Sequence, residues 1–408
     1  DGRFMMRGDM DYFPFRNGRG RFEAVAHVSD ASIDFRDDWP AVQGVDGTAR
    51  FVAAGMDVEA RQGSIGGVTA RSARAVIEDF KRPVLEIRYE ADNTLPEYLD
   101  FLQQTPLREQ INVDLSPFGF AGPASTSGAI TVPLGDTPGE LSVDGRVALD
   151  GARFNYPERD ITIDAITGTL TYSEKGFSGT GLQATYREQP ARLNLEAQAD
   201  KREKFRAEMR GVFDVTAIIP EFLRDDFQVL NKVLGACAWD VALVVEPVPG
   251  TENNEASLRI DSLLEGITMD LPAPLDKTSG EPWPLHLEFP LGDSGRPLDV
   301  VFEDRAALRF DLGGDDGALR RALFRMDDRL APLPEPGLVR IEGDAGLIDL
   351  DGWVDVVIDE ITTDSDMGGL ELEPGVLHAR EVLFLDRLFD DVTMGFSVER
   401  SEFRAVFD

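Results

Sequence analysis

The sequence is almost without cysteine, histidine and lysine, and it has no long apolar run. Cys237 is the sole cysteine, so no disulfide can form within the chain. Its neighbours Gly235, Ala236, Ala238 and Trp239 mark it as a small buried hydrophobe rather than a reactive thiol. His27, His286 and His378 are the only histidines, each isolated on strand-like sequence, which leaves no His cluster to hold zinc. No apolar stretch approaches the roughly 18 residues of a membrane span, and no charged-then-apolar leader is present. Acidic residues outnumber basic ones 75 to 41, for a formal charge of −34. A field of that sign repels phosphate backbones and anionic membrane surfaces, so a reader of nucleic acid is excluded as a partner.

The motifs of catalysis are equally scarce. Gly292-Asp293-Ser294-Gly295-Arg296-Pro297 approaches the serine motif of trypsin-like proteases but departs from it at the fifth residue, and nothing ties His27 to Ser294. Arg7-Gly8-Asp9 is a tripeptide that recurs by chance. The acidic clusters Asp311–Asp316, Asp349–Asp359 and Asp364–Asp366 lack the EF-hand spacing and read as solvated turns. No Walker-type Gly-Lys-Ser/Thr occurs. The expectation is therefore no enzyme, no cofactor and no metal.

What is present is repetition. Ala152-Arg153-Phe154-Asn155-Tyr156 echoes Ala31-Ser32-Ile33-Asp34-Phe35, Gly176 answers Gly55, and Ala191-Arg192 answers Ala70-Arg71. A third copy opens at Gly266-Ile267-Thr268-Met269-Asp270-Leu271-Pro272. Self-similarity at a long period points to stacked units, approximately 21–135, 136–250 and 251–408, and to one extended fragment over 1–408.

Within the units, apolar and polar residues alternate, as in Leu85-Glu86-Ile87-Arg88-Tyr89-Glu90 and Ala191-Arg192-Leu193-Asn194-Leu195-Glu196. Turn signals such as Asp46-Gly47, Asp150-Gly151 and Lys175-Gly176 separate such runs. The pattern predicts a mainly β fold, an antiparallel meander with one wet and one dry face. Two segments carry helical spacing instead: Leu95–Leu107, with Tyr98, Leu99 and Leu102, and Ala217–Leu234, with Phe222, Leu223, Phe227 and Leu230. Both are expected to be short amphipathic helices covering an open sheet face. An Arg-rich helical turn is expected over Ala318–Leu330, and strands again over Leu338–Asp408.

Alternation by itself leaves open whether the dry face closes against a second sheet or lines an apolar trough. A trough of some twenty-odd strands at about 4.8 Å each would be on the order of 100 Å long. Its candidate lining residues are Leu85, Ile87 and Tyr89, then Phe154, Tyr156, Ile161, Ile163, Leu170, Tyr172, Leu193 and Leu195, then Val241, Leu243 and Val245.

Phe15-Arg16-Asn17-Gly18-Arg19-Gly20-Arg21-Phe22, Trp39-Pro40 and the hairpin from Gly47 to Gly66 resemble the middle region of the YhdP-type members of the AsmA-like family. So do Gly266–Lys277, with its Leu-Pro-Ala-Pro-Leu followed by a spaced lysine, and the helix Pro220–Leu234 leading into Trp239. The resemblance implies an elongated, curled sheet forming an open hydrophobic groove, in an internal periplasmic piece of a protein anchored in a Gram-negative inner membrane. It also implies a lipid-transfer conduit whose partners are phospholipid acyl chains, with inner and outer membranes reached through parts of the chain not present. The rival expectation is a non-enzymatic periplasmic β-scaffold that recruits envelope proteins.

Overall fold

The computed structural model describes residues 1–407 except 17, 35–36, 110–117, 158–160, 199–200, 220–223, 225–227, 249, 252–253, 292–295, 313–318, 363–369 and 400–401. The chain divides into two compact units, Asp1–Phe205 and Arg206–Asp408. As the alternation predicts, the fold is mainly β with few helices.

The first unit contains β1 (Gly2–Gly8), β2 (Gly20–Ile33), β3 (Val42–Val52), β4 (Gly55–Ile65), β5 (Val68–Ile77) and β6 (Val84–Thr94). Helix α1 (Leu95–Gln103) follows, then β7 (Gly119–Ala121), β8 (Pro123–Pro133), β9 (Ser142–Tyr156), β10 (Ile161–Ser173), β11 (Gly176–Tyr186) and β12 (Gln189–Gln198). Each strand from β1 to β6 pairs antiparallel with the next, β8 bridges β6 to β9, and β9 to β12 continue the ladder.

Strand lengths recur where the sequence repeats: β4 and β11 each have 11 residues, and β5 and β12 each have 10. Both pairs are joined by tight turns with positive φ at both central positions, Gly66-Gly67 in one and Arg187-Glu188 in the other. That geometry matches the right-handed strand twist, and glycine adopts it without strain. Helix α1 begins where the sequence signals it. Thr94 and Glu97 form a capping box and Pro96 sits in the first turn.

The second unit opens with β13 (Phe205–Asp214) and a short α2 (Val215–Ile218), followed by β14 (Val233–Pro247), β15 (Asn254–Ser262) and β16 (Ile267–Met269). Next come β17 (Leu285–Leu291), β18 (Leu298–Phe302), β19 (Ala306–Leu312), β20 (Leu319–Arg325) and β21 (Leu338–Asp349). Helix α3 (Leu350–Thr362), β22 (Glu371–Leu372), β23 (Gly375–Phe384), β24 (Arg387–Glu399) and β25 (Glu402–Phe407) complete it. Strands β14, β15, β17, β18, β19 and β20 are consecutive antiparallel neighbours.

Four expectations need correction. Residues 319–325 are strand β20 rather than an Arg-rich helical turn, because pairing with β19 and β21 overrides local propensity. Of the helix expected over Ala217–Leu234, the described residues give α2 at its start, a helical Arg224 and a 3-10 turn at Gln228–Lys232. Residues 220–223 and 225–227 lie outside them, and Val233 and Leu234 already belong to β14, paired with β16. The meander is not wholly antiparallel, since β21 runs parallel to β20, β22 and β23. The segment after Leu338 contains α3, whose helical spacing of Leu350, Trp353, Val357 and Ile361 lies hidden among the aspartates of the expected acidic turn. Asp349 accepts the Gly352 amide at 3.0 Å and starts that helix.

Candidate functional site

Register carries the alternation across many strands. In the second unit Val241, Ile260, Leu287, Val300, Leu308, Phe324 and Ile341 are successive cross-strand partners over seven strands. Leu298, Phe310, Ala322 and Val339 form a flanking row. Ile260 and Ala322 are buried, but Val241, Leu287, Val300, Leu308, Phe310, Phe324, Val339 and Ile341 remain partly exposed. Contiguous apolar surface left partly open is the kind of surface that apolar ligands or protein partners use.

The opposite face is polar and paired. Arg309 meets Asp299 at 2.7 Å, Arg321 meets Asp311 at 2.7 Å, and Arg259 lies between Glu246 at 2.8 Å and Glu288 at 3.8 Å. The crossover from β20 to β21 runs over this polar side, where Arg309 donates to the Ala331 carbonyl at 2.8 Å and Arg321 to that of Pro334 at 3.1 Å. Leu323 and Ala307, on the same side, are consequently buried.

The first unit repeats the division. Phe51, Met56, Ile77, Leu85 and Val132 are successive partners, as are Ala49, Val58, Ala75, Ile87 and Ile130. A third row reads Tyr89, Gly128, Gly145, Tyr172 and Phe177. Here the two tyrosine hydroxyls meet over the glycines, and a Cβ added at Gly145 would fall 2.3 Å from the Tyr172 ring. Thr126 Oγ1 bonds the Tyr172 hydroxyl at 2.9 Å and donates to the Arg146 carbonyl at 3.0 Å. Burial and then the Tyr172 neighbour push the Tyr89 phenol far above its ordinary value, so its hydroxyl stays neutral.

Register sorts the residues singled out by sequence. Leu85, Ile87, Tyr89, Leu170, Tyr172 and Leu195 share one face of the first unit, and all are partly exposed. Leu193 lies on β12 opposite Leu182, and both are buried. Phe154 pairs with Ile163, and Tyr156 with Ile161, with Phe118 packed on both aromatic rings at 5.5 and 5.0 Å. Val241, Leu243 and Val245 lie on the apolar face of β14. Of the helix residues, Tyr98, Leu99 and Leu102 are half-buried on α1, and Tyr98 donates to the Ala91 carbonyl at 2.9 Å. Leu230 is half-buried in a 3-10 turn, whereas Phe222, Leu223 and Phe227 lie outside the described residues.

Leu258, Leu287, Val300, Leu308 and Phe324 were not among the sequence candidates. Leu285-His286-Leu287-Glu288-Phe289 shows the required alternation, but taking 318–330 as helical hid Phe324 and its neighbours. Lys277 is a second such case. It is 4 % exposed, and its ammonium donates to the carbonyls of Leu264, Ile267 and Thr278 at 2.8, 3.0 and 3.1 Å. Burial holds its pKa below the ordinary value. Lys277 thus ties the loop between β15 and β17 into a knot beside Trp283, and its role is structural. Cys237 is buried as expected, and burial pushes its thiol up.

Among the described residues no three His, Cys, Asp or Glu side chains converge as a metal site. The three histidines bond separately, His27 to Thr48, His286 to Asp261 and His378 to Thr393. No helix among these residues is long and apolar enough to cross a membrane. What the described residues do present is an apolar surface spread over many strands.

The comparisons with known proteins identify the family. The chain matches the YhdP protein family over residues 1–404 and belongs to it. It is 24 % identical over 348 residues to the intermembrane phospholipid transporter YhdP of Escherichia coli strain K12, an alignment covering 82 % of this chain and 26 % of that protein. The chain thus spans about a quarter of that relative's length. No solved structure matches it.

Proposed function

We propose that this chain is a stretch of a phospholipid conduit in the periplasm between the inner and outer membranes of a Gram-negative envelope. The observation that carries the reading is the half-exposed apolar row from Val241 to Ile341, backed by an ion-paired polar side. Acyl chains lie on the apolar faces of both units and headgroups turn to water. Each buried methylene contributes about 0.8 kcal/mol with no directional preference, so a chain is held and can still slide. Leu85, Ile87, Leu170, Leu195 and Leu243 line this track, and α1 covers part of it through Tyr98. Repeats over approximately 21–135, 136–250 and 251–408 lengthen the track without adding a site. No reaction and no cofactor enters, and the membranes are reached through other parts of the protein.

Native mass spectrometry of the purified chain is the test. Bound phospholipid is the expected result, and Leu170→Asp with Leu195→Asp should abolish it while the circular dichroism of the folded chain persists. A chain that carries no lipid, or keeps it unchanged through both substitutions, would leave a protein-binding β-scaffold as the better account.

A further inference from the structure

Several arginines on the polar faces sit among carboxylates, as Arg71 does between Glu90 and Asp92 at 3.0 and 2.8 Å. At the start of the first unit the balance inverts. Arg7 of β1 and Arg21 of β2 are direct register partners, on the face that also carries Arg3 and Glu23. Arg50 of β3 joins them, opposite Val25 on the same face. Glu23 serves three of these arginines, Arg21 and Arg50 at 2.8 Å each and Arg3 at 4.0 Å. Its carboxyl is held below its usual range by the hydrogen bond from Arg50 and then that from Arg21. Arg7 is exposed and makes no ion pair among the described residues.

The next carboxylate, Asp57 opposite Arg50, is already taken through both oxygens by Arg74, at 3.0 and 2.7 Å. In a second facing pair, Arg74 and Arg88, Arg74 is held by Asp57 at 2.7 Å and lies 4.0 Å from Glu59, and Glu86 and Glu90 flank Arg88 on its own strand. Around the Arg7–Arg21 pair the one ion-pairing carboxylate among the described residues is Glu23, which Arg21 shares with Arg50 and Arg3. Like charges directly opposite on antiparallel strands destabilise the pairing. A chain of net charge −34 that keeps four arginines around one carboxylate has a local reason to do so.

We propose that Arg3, Arg7, Arg21 and Arg50, oriented by Glu23, form a binding site for a phosphate ester group. Guanidinium is suited to it because its planar fork donates two parallel bonds to a phosphate. Two sources share that chemistry, a phospholipid headgroup and a free phosphate, and only the first rests on the conduit reading. The opposite face of β1 presents Phe4 and Met6, 64 % and 42 % exposed, which puts an apolar surface for the acyl part of a lipid on the other side of the same strand.

The test is thermal melting and calorimetric titration of the 408-residue chain and its Arg7→Gln/Arg21→Gln double variant. The probes are inorganic phosphate, sodium chloride at matched ionic strength, and dihexanoylphosphatidylglycerol below its micelle concentration. Phosphate should raise the melting temperature of the parent chain beyond chloride. In the double variant its affinity should fall about tenfold or more, as loss of charge-assisted bonds implies. The variant's melting temperature without phosphate should stay level or rise, because a repulsive pair is gone. Tighter binding of the short-chain lipid than of phosphate identifies a headgroup site, and equal binding identifies a free-phosphate site. Phosphate acting no differently from chloride overturns the site, as does a variant that melts lower and binds phosphate as before. Phospholipid in the native mass spectra of the same sample separates the two readings, since its presence alongside a null phosphate result sinks the site and leaves the conduit standing.

Discussion

Two neighbouring regions of the second unit are built from similar alternating strands and end in opposite states. On β14 to β20 the apolar row stays partly exposed. On β21, β23 and β24 it is closed: Ile348, Leu377, Ala379, Val382, Val392 and Met394 are buried, with Leu350 and Trp353 of α3 packed against them. The difference is a lid. Helix α3 is fixed over its strands by the Leu271–Pro274 turn, whose Ala273 carbonyl accepts the Asp349 amide at 3.1 Å and the Trp353 indole at 2.9 Å. Alternation specifies a dry face, and a separate segment decides whether that face becomes core or surface.

The strongest way to break this comparison is to truncate one residue of each kind. Met394→Ala in the closed region should cost about 2–5 kcal/mol in urea unfolding. Leu308→Ala on the open face should cost about 1 kcal/mol, since much of its transfer energy is never realised. Equal costs would mean that the open face is covered in solution.

Acid sharpens the boundary between the regions, where the β20–β21 crossover begins. Arg325, through its hydrogen bond, and then Arg329 hold the Asp327 carboxyl below its ordinary 3.8 despite partial burial. The unfolded chain takes up that proton more readily, so the carboxylate's contribution is full above about pH 4 and lost as the pH falls further. Asp327→Asn should therefore flatten the acid limb of a melting-temperature profile, and an unchanged limb would count against this cluster. The smallest effect is expected at Arg329, 66 % exposed, where replacement by alanine should leave the urea unfolding midpoint almost unchanged.

Much of the fold was legible because strand period and turn chemistry are local. Leu85 to Glu90 announces β6, and Pro96 with the spacing of Tyr98, Leu99 and Leu102 announces α1 within a few residues. Strand β20 was not legible, because its arginines and leucines suit either state and only pairing with β19 and β21 decides between them. Helix α3 was obscured by the aspartates that punctuate it. Of the candidate site, the residues on clean alternations were found, whereas Lys277 could not be placed, since its three carbonyl partners come together only once the loop closes.

By itself the sequence determined that this is a mainly β protein with alternating wet and dry faces and without the common catalytic motifs. Those properties follow from residue spacing and from the scarcity of cysteine, histidine and catalytic motifs. Only the tertiary structure decided which dry faces are left open. Covering depends on contacts between segments far apart in the chain, such as Ala273 with Trp353, and no local pattern encodes them. The same holds for the arginines around Glu23, whose excess of charge appears only when β1, β2 and β3 lie side by side.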